Sequence, residues 1–312
     1  MNIVFMGTPE FAVPSLQALA NNDLAPRLVV TQPSKRRARR GEVELSPVGK
    51  AADFLGLELL ECEKVSKGAA LDQIVEIAPD LIVVVAFGQI LRKSLLELPR
   101  YGCINLHPSM LPAYRGAAPI QRAIIDGARE SGITVMRLVR ELDAGPILLQ
   151  RPFAIEENEN AHLALERSAM VGADMLVEVV QAFAAGTPPA ELVQDDSLAT
   201  YAHMLGKDDG LLDFNRPALE LHNLVCGVQP WPGAFTTLAG QPLKVHRTQV
   251  LSEQGRDAAA GTILAAAAEG LDVACGTGVL RILEVQAESK PRRKIGEFLN
   301  GTKLQVGEKL GS

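Results

Sequence analysis

The first half of the chain alternates two textures, and that alternation restricts its fold more than any other feature. Short β-branched apolar runs at residues 2–6, 28–31, 81–87, 103–106, 133–139 and 147–150 are separated by stretches of helical periodicity at 13–21, 47–55, 69–77 and 117–126. Neighbouring strands that run the same way need a crossover of a dozen or more residues, usually a helix. The pattern therefore predicts an α/β domain, a mainly parallel sheet covered by helices on both faces. Such sheets bind ligands beyond the carboxyl ends of their strands, where strand order reverses.

At 312 residues the chain is about twice the length of a typical ~150-residue domain. A helical pattern at 161–184 is closed by Gly186, and Thr187-Pro188-Pro189 can continue neither a helix nor a central strand. The polar stretch Gln194-Asp195-Asp196-Ser197 then reads as a linker. Beyond about residue 207, short runs with glycine punctuation at 242–248, 261–264, 271–274 and 279–285 predict a small β-barrel or sandwich. The expected division is a first domain over 1–186, a linker over 187–206 and a second domain over 207–312.

Lys and Arg number 31 against 37 Asp and Glu, net −6, which argues against a surface that binds polyanions as a whole. The excess is local, because residues 207–312 carry 12 charges of each sign and the whole −6 precedes them. Two short cationic segments stand out: Lys35, Arg36, Arg37, Arg39 and Arg40 after an apolar run, and Lys290, Arg292, Arg293 and Lys294 near the end. Each is either a solvated run or a phosphate-contacting strip. Cys62, Cys103, Cys226 and Cys275 lie too far apart for a CxxC pair or a zinc knuckle, and no histidine spacing suits a metal. With no leader pattern and no apolar run long enough to cross a bilayer, the expectation is a cytoplasmic protein with reduced thiols, no metal and no membrane partner.

Chemistry-bearing residues concentrate in CINLHPSMLPAYRGAAP, residues 103–119. On a strand, Asn105 and His107 lie two apart and face the same side, and Pro108 ends the strand there. An amide beside an imidazole at a strand's carboxyl end suits acyl transfer, one hydrogen-bonding a developing oxyanion while the other moves a proton. The plain alternative is a histidine satisfied by a backbone carbonyl. Asp143, in the turn Glu141-Leu-Asp-Ala-Gly-Pro-Ile147, either caps that turn or, if its strand end neighbours His107, orients the imidazole and favours its protonated form. Gly7-Thr8-Pro9-Glu10 lacks the second glycine of a dinucleotide fingerprint, and Ser109 lacks the setting of a nucleophile.

The motifs MNIVFMGTPEFAVPSL, DLIVVVAFGQIL, INLHPSMLPAYRGAAPIQRAI, GITVM, LDAGPIL, QPWPGAF, GQPLKV and LRILEVQ resemble those of the methionyl-tRNA formyltransferases over nearly the whole chain. The resemblance implies a Rossmann-like domain followed by an OB-like barrel, and transfer of a formyl group from 10-formyltetrahydrofolate to methionine on initiator tRNA. It implies a catalytic trio of Asn105, His107 and Asp143 that works without a metal. Asn105 and a protonated His107 would stabilise the oxyanion, while a water or the site base held by Asp143 collects the amine proton. It also implies a folate-binding loop at Ser109, Met110, Leu111 and Pro112, with Phe87, Gly88, Gln89, Ile90, Leu91 and residues 138–143 lining the pterin pocket. Contacts to tRNA are implied for the insertion at 34–45, hence Lys35, Arg36, Arg37, Arg39 and Arg40, and for Lys207, Lys290, Arg292, Arg293 and Lys294. A monomer is expected. Among rivals, glycinamide formyltransferases usually lack a second domain, sugar formyltransferases usually lack the basic loop, and a non-catalytic RNA-binding protein would have no need of the trio.

Overall fold

The structure, a computed structural model, describes residues 1–36, 43–254 and 258–311, with Lys35, Arg36 and Val43 described by their backbone alone. The chain forms two compact units, one comprising 1–116, 131–153 and 165–201 and the other 117–130, 154–164 and 202–312.

The first unit is built on β1 (Ile3–Gly7), β2 (Leu28–Thr31), β3 (Leu59–Glu61), β4 (Leu81–Val85), β5 (Cys103–His107), β6 (Glu130–Arg137) and β7 (Ile147–Ala154). They form one seven-stranded sheet in the order β7-β6-β5-β4-β1-β2-β3, and the five strands from β5 to β3 are parallel. Ile3, Phe5, Val29, Leu81, Val83 and Val85 join a core on one face. Val4, Met6, Leu28, Val30, Ile82 and Val84 join a core on the other. Burial on both faces is why these runs are continuously apolar, and each such side chain contributes roughly 1.5–3 kcal/mol when fully buried.

Helices α1 (Val13–Asn21) and α2 (Pro47–Phe54) pack on the first face, and α3 (Gly68–Ile77) and α4 (Lys93–Leu96) on the second. Helix α5 (Pro119–Ile125) belongs to the second unit, while α6 (Ala161–Ala184) adds Met175, Leu176, Val179, Val180 and Phe183 to the first core. Strand order reverses at β1, where the chain steps to β2 and β3 on one side and resumes with β4 on the other. That reversal is the expected ligand position.

Three features differ from the sequence reading. Strand β6 runs antiparallel to β5, with Arg137 opposite Ile104 and Thr134 opposite His107. The segment carrying Asp143 therefore leaves β6 away from the His107 end and must double back. Strand β3 was not anticipated, being a three-residue edge strand too short to show a pattern. The stretch 187–206 does more than link: residues through Tyr201 belong to the first unit. Leu192 exchanges two backbone hydrogen bonds with Ile147, at 2.8 and 2.9 Å, pairing groups that an edge strand would otherwise leave open.

The second unit carries β8 (Ala234–Leu238), β9 (Gln241–Ser252), β10 (Ile263–Ala267), β11 (Gly270–Ala274) and β12 (Val279–Ala287), paired in the order β8-β9-β12-β11-β10. Strand β13 (Arg293–Lys294) adds to β12, and every one of these pairings is antiparallel. Helices α7 (Ala218–Gly227) and α8 (Ile295–Leu299) contribute Leu221, Leu224, Val225 and Ile295 to a core with Leu243, Val245, Leu271, Val273, Leu280 and Ile282. The C-terminal segment bonds to both ends of the sheet order: Gly311 donates to the Thr237 carbonyl at 2.9 Å and Ile263 donates to the Glu308 carbonyl at 2.8 Å. All four cysteines are free and buried. Among the described residues no helix is long and apolar enough to cross a membrane.

Candidate active site

His107 ends β5 and is 4% exposed. Its Nε2 lies 2.9 Å from the Tyr114 carbonyl oxygen. A carbonyl only accepts, so Nε2 carries the proton, an assignment made from the partner. Nδ1 faces Asp143 Oδ2 at 3.7 Å, outside hydrogen-bond range. Burial pushes the imidazole below its ordinary pKa; the Asp143 carboxylate and the Tyr114 carbonyl pull upward without offsetting it. The resting ring is therefore neutral, with its basic nitrogen beside a carboxylate. Asp143 favours the protonated form, as expected of a carboxylate there, but lost hydration outweighs it at that distance, so the resting ring is not the protonated one that the resemblance implies. The carbonyl-bonded and Asp-facing readings of His107 turn out to describe its two nitrogens.

Asp143 is held from its own side. Oδ2 accepts the Gly116 N–H at 2.8 Å. Asp143 has φ +49° and Tyr114 φ +60°, left-handed conformations that non-glycine residues seldom adopt and that persist only where surroundings enforce them. Asn105, half-buried on the same strand face as His107, makes no side-chain hydrogen bond with the described residues. The strand end thus joins a free amide, a neutral imidazole and a carboxylate.

The expected folate residues divide into two groups. Phe87 is buried, and its carbonyl accepts from Thr8 Oγ1 and Gln32 Nε2, both at 3.0 Å, tying together the loops after β1, β2 and β4. Gln89 donates to the Cys62 carbonyl at 2.7 Å and accepts from Val65 N at 2.9 Å. Ser109 is buried and donates to the Ala113 carbonyl at 2.6 Å. Leu111 is buried with Met136 and Ile147, next to a cis Leu111–Pro112 bond. Leu111 N and the Ser109 carbonyl meet on the Thr134 hydroxyl, at 3.3 and 2.7 Å. These residues and Leu91 shape the loops from inside; Gly88 and Ile90 face solvent, and Met110 and Pro112 are half-buried.

Among the expected tRNA residues, Lys35 pairs with Glu44 and Arg36 with Val43 through a short antiparallel backbone bridge. Arg37, Arg39 and Arg40 lie outside the described residues. Lys207, Lys290, Arg293 and Lys294 are exposed. Arg292 is ion-paired with Glu284 at 2.5 Å, and Arg247 reaches the same carboxylate at 3.3 Å. Among the described residues no three His, Cys, Asp or Glu side chains gather as a metal site.

Sequence reasoning missed Tyr114, Gly116, Thr134 and Gln194. The first two act through backbone atoms, which side-chain chemistry does not advertise. Gln194 was read as linker polarity although it is 8% exposed.

Fold and site together define a formyltransferase. The formyl transferase family profile matches residues 1–180 and the formyl transferase C-terminal domain profile residues 204–303. The chain belongs to the methionyl-tRNA formyltransferase family: it is 45% identical over 311 residues to the methionyl-tRNA formyltransferase of Geotalea daltonii, covering 100% of this chain and 98% of that one. It is 44% identical over 311 residues to that of Geobacter metallireducens, covering 100% and 99%. Among solved structures, the sugar 3N-formyl transferase WlaRD superposes with a TM-score of 0.67 at 18% identity, over 93% of this chain and 99% of that one, a likeness of fold.

Proposed function

We propose that this enzyme transfers the formyl group of 10-formyltetrahydrofolate to the α-amino group of methionyl initiator tRNA, acting in the cytoplasm as a monomer. The reading is carried by the strand end where Asn105, an amide without a side-chain partner among the described residues, stands two residues from a neutral imidazole whose Nδ1 faces Asp143. Full-length identity to the tRNA enzymes, against a likeness of fold alone to the sugar enzyme, favours the tRNA acceptor.

The chain has suitable partners for the co-substrate. Asn105 offers an unused donor for a formyl oxygen, and Ile90 (89% exposed) and Leu142 (61% exposed) offer apolar surface for a flat ring. Asn105, Gly88, Ile90, Met110 and Pro112 are the residues we assign to hold it, with Phe87, Gln89, Leu91, Ser109 and Leu111 shaping their loops.

In the reaction, Asn105 donates to the oxygen that becomes an oxyanion as the methionyl amine attacks the formyl carbon; removing such a donor costs about 2.7–4 kcal/mol of transition-state stabilisation. His107 accepts the amine proton on Nδ1, forming an imidazolium. Asp143, too distant to bond the resting ring, attracts the charge as it forms. His107 then returns the proton to N10 as the bond between N10 and the formyl carbon breaks, so the proton lost by the amine ends on the departing folate.

For the acceptor, Lys35, Arg36, Arg37, Arg39 and Arg40 and the exposed Lys207, Lys290, Arg293 and Lys294 are proposed to meet phosphates, with Arg292 a weaker contributor because Glu284 already pairs with it. We read the second unit as an OB-like barrel, since its C-terminal segment bonds to strands at both ends of the sheet order. We read 1–186 as catalytic domain, 187–206 as a connection whose residues through Tyr201 cluster with the first unit, and 207–312 as tRNA-binding domain, a division that the two matched profiles support. The test is incubation with charged initiator tRNA and formyl-folate. Acid-stable formylmethionine is the expected product, and formylation of a nucleotide-sugar amine alone overturns the reading.

A further inference from the structure

We propose that Gln194, carried on the segment that follows α6, is a positioning residue for the reaction: its carboxamide fixes the backbone turn that presents the Asp143 carboxylate to His107. This rests on the reading of His107 and Asp143 given above.

Gln194 uses the whole of its amide. Nε2 donates to the Asp143 carbonyl at 2.8 Å and to the Gly145 carbonyl at 2.7 Å. Oε1 accepts from Arg115 Nε at 3.1 Å and Nη2 at 2.8 Å. Two acceptors on one side and a guanidinium on the other leave one possible orientation, since a flipped amide would set oxygen against oxygen. The anchor is itself fixed, because the Arg115 side chain is 4% exposed and also pairs with Asp196 at 2.7 Å.

The turn needs such a clamp. Asp143 sits in the left-handed region, which surroundings must enforce, and its carboxylate has to reach back toward a histidine opposite Thr134. The turn's far end is pinned separately: Arg137 N donates to the Pro146 carbonyl at 2.9 Å, and a β-carbon on Gly145 would lie 1.9 Å from the Arg137 carbonyl oxygen. Gln194 supplies the hold at the Asp143 end. Arg115 is joined to the same arrangement through the next residue, because Gly116 N–H donates to the carboxylate that Gln194 aims. The polar segment after α6 is thereby part of the catalytic apparatus.

The test uses the full chain and two variants. Gln194→Glu keeps an acceptor for Arg115 and loses both donors to the turn; Gln194→Met loses both functions without adding charge. In each folded variant kcat should fall by up to about tenfold, as expected for a displaced catalytic group, while KM for formyl-folate stays within about twofold. In an Asp143→Asn background, Gln194→Glu should cost less than about twofold, since coupled residues are not additive. The Gly116 amide proton, shifted downfield by its carboxylate partner, should move upfield in both Gln194 variants. A parental kcat in either folded variant, an undiminished cost in the Asp143→Asn background, or an unmoved Gly116 signal overturns the proposal. If the parent formylates no methionyl-tRNA, the functional reading fails while the Gly116 signal still decides the role of Gln194.

Discussion

His107 in the first unit and His222 in the second are both nearly buried, and burial lowers the pKa of both. Their partners separate them. Nδ1 of His222 meets the Thr248 hydroxyl at 2.9 Å and Nε2 the Cys226 thiol at 3.8 Å. Each of those groups can donate or accept, so the neutral ring is satisfied in either tautomer. His107 faces a carbonyl and a carboxylate, which only accept. Whichever nitrogen lacks the proton is left against an acceptor, and that mismatch is relieved when the ring is charged. Burial keeps His107 neutral while its partners reward protonation, the combination a transient base needs. A depressed pKa alone does not identify a catalytic histidine; the chemistry of what each nitrogen faces does.

The largest expected effect tests this contrast directly. Asn105→Ala and His107→Ala should each lower kcat by about 10²–10³-fold, the usual range for lost oxyanion donors and comparable groups. Asn105→Ala should leave the melting temperature unchanged, because the amide has no hydrogen-bond partner among the described residues. His222→Leu should do the reverse, with turnover within about twofold and stability lower by roughly 1–3 kcal/mol, since the Thr248 hydroxyl is left buried and unpaired. Single-turnover assays and denaturant melts decide. A His222 variant that loses turnover with an unchanged melt would end the distinction.

Next in size is the response to pH. The neutral form of His107 is the base, so kcat/KM should rise with pH through a value below the ordinary histidine range and then level off. Asp143→Asn should lower the plateau about tenfold and move the acid limb to lower pH, because the carboxylate is what draws the histidine's pKa upward. Stability has the same sign. His107, His222 and His246 all bind protons less readily folded than unfolded. The unfolded chain therefore gains protons first as pH falls, and stability present above about pH 6.5 is lost through the lower, folded values. His222→Leu should shrink that acid loss while leaving the activity limb in place; melts and rates across pH 5–8 separate the two.

The same contrast explains what could be read from the chain beforehand. Leu81–Val85 and Leu28–Thr31 were legible as strands because both faces of the sheet are buried, which makes the run itself the signal. Helices α1 and α6 matched their expected bounds for a related reason, a 3.6-residue apolar period. Asn105 and His107 were legible as a pair because a strand has period two. The state of His107 was not, since it depends on burial balanced against a carboxylate delivered by a loop that doubles back from an antiparallel strand. Gln194 was hidden because its value lies in four hydrogen bonds to residues about 50 and 80 positions away. Strand β8 and helix α7 escaped for want of a strong pattern.

The smallest effects should come from the second unit's surface, where the charged side chains lie outside the core. Lys290→Glu, Arg293→Glu and Lys294→Glu should each raise half-saturation for tRNA several-fold and leave kcat and the melt near parental values. If each meets a phosphate, the slope of log affinity against log salt should flatten by about 0.7–0.9 per lost contact. Arg292→Ala should do less, because the Arg292 charge is already met by Glu284, and removing it frees that carboxylate for Arg247 alone. A ranking with Arg292 first would mean that the ion pair opens when tRNA binds, and that Glu284 screens the basic strip in the free protein. An unchanged salt slope in all four would leave the strip a solvated run and assign the phosphate contacts to the segment from Lys35 to Arg40.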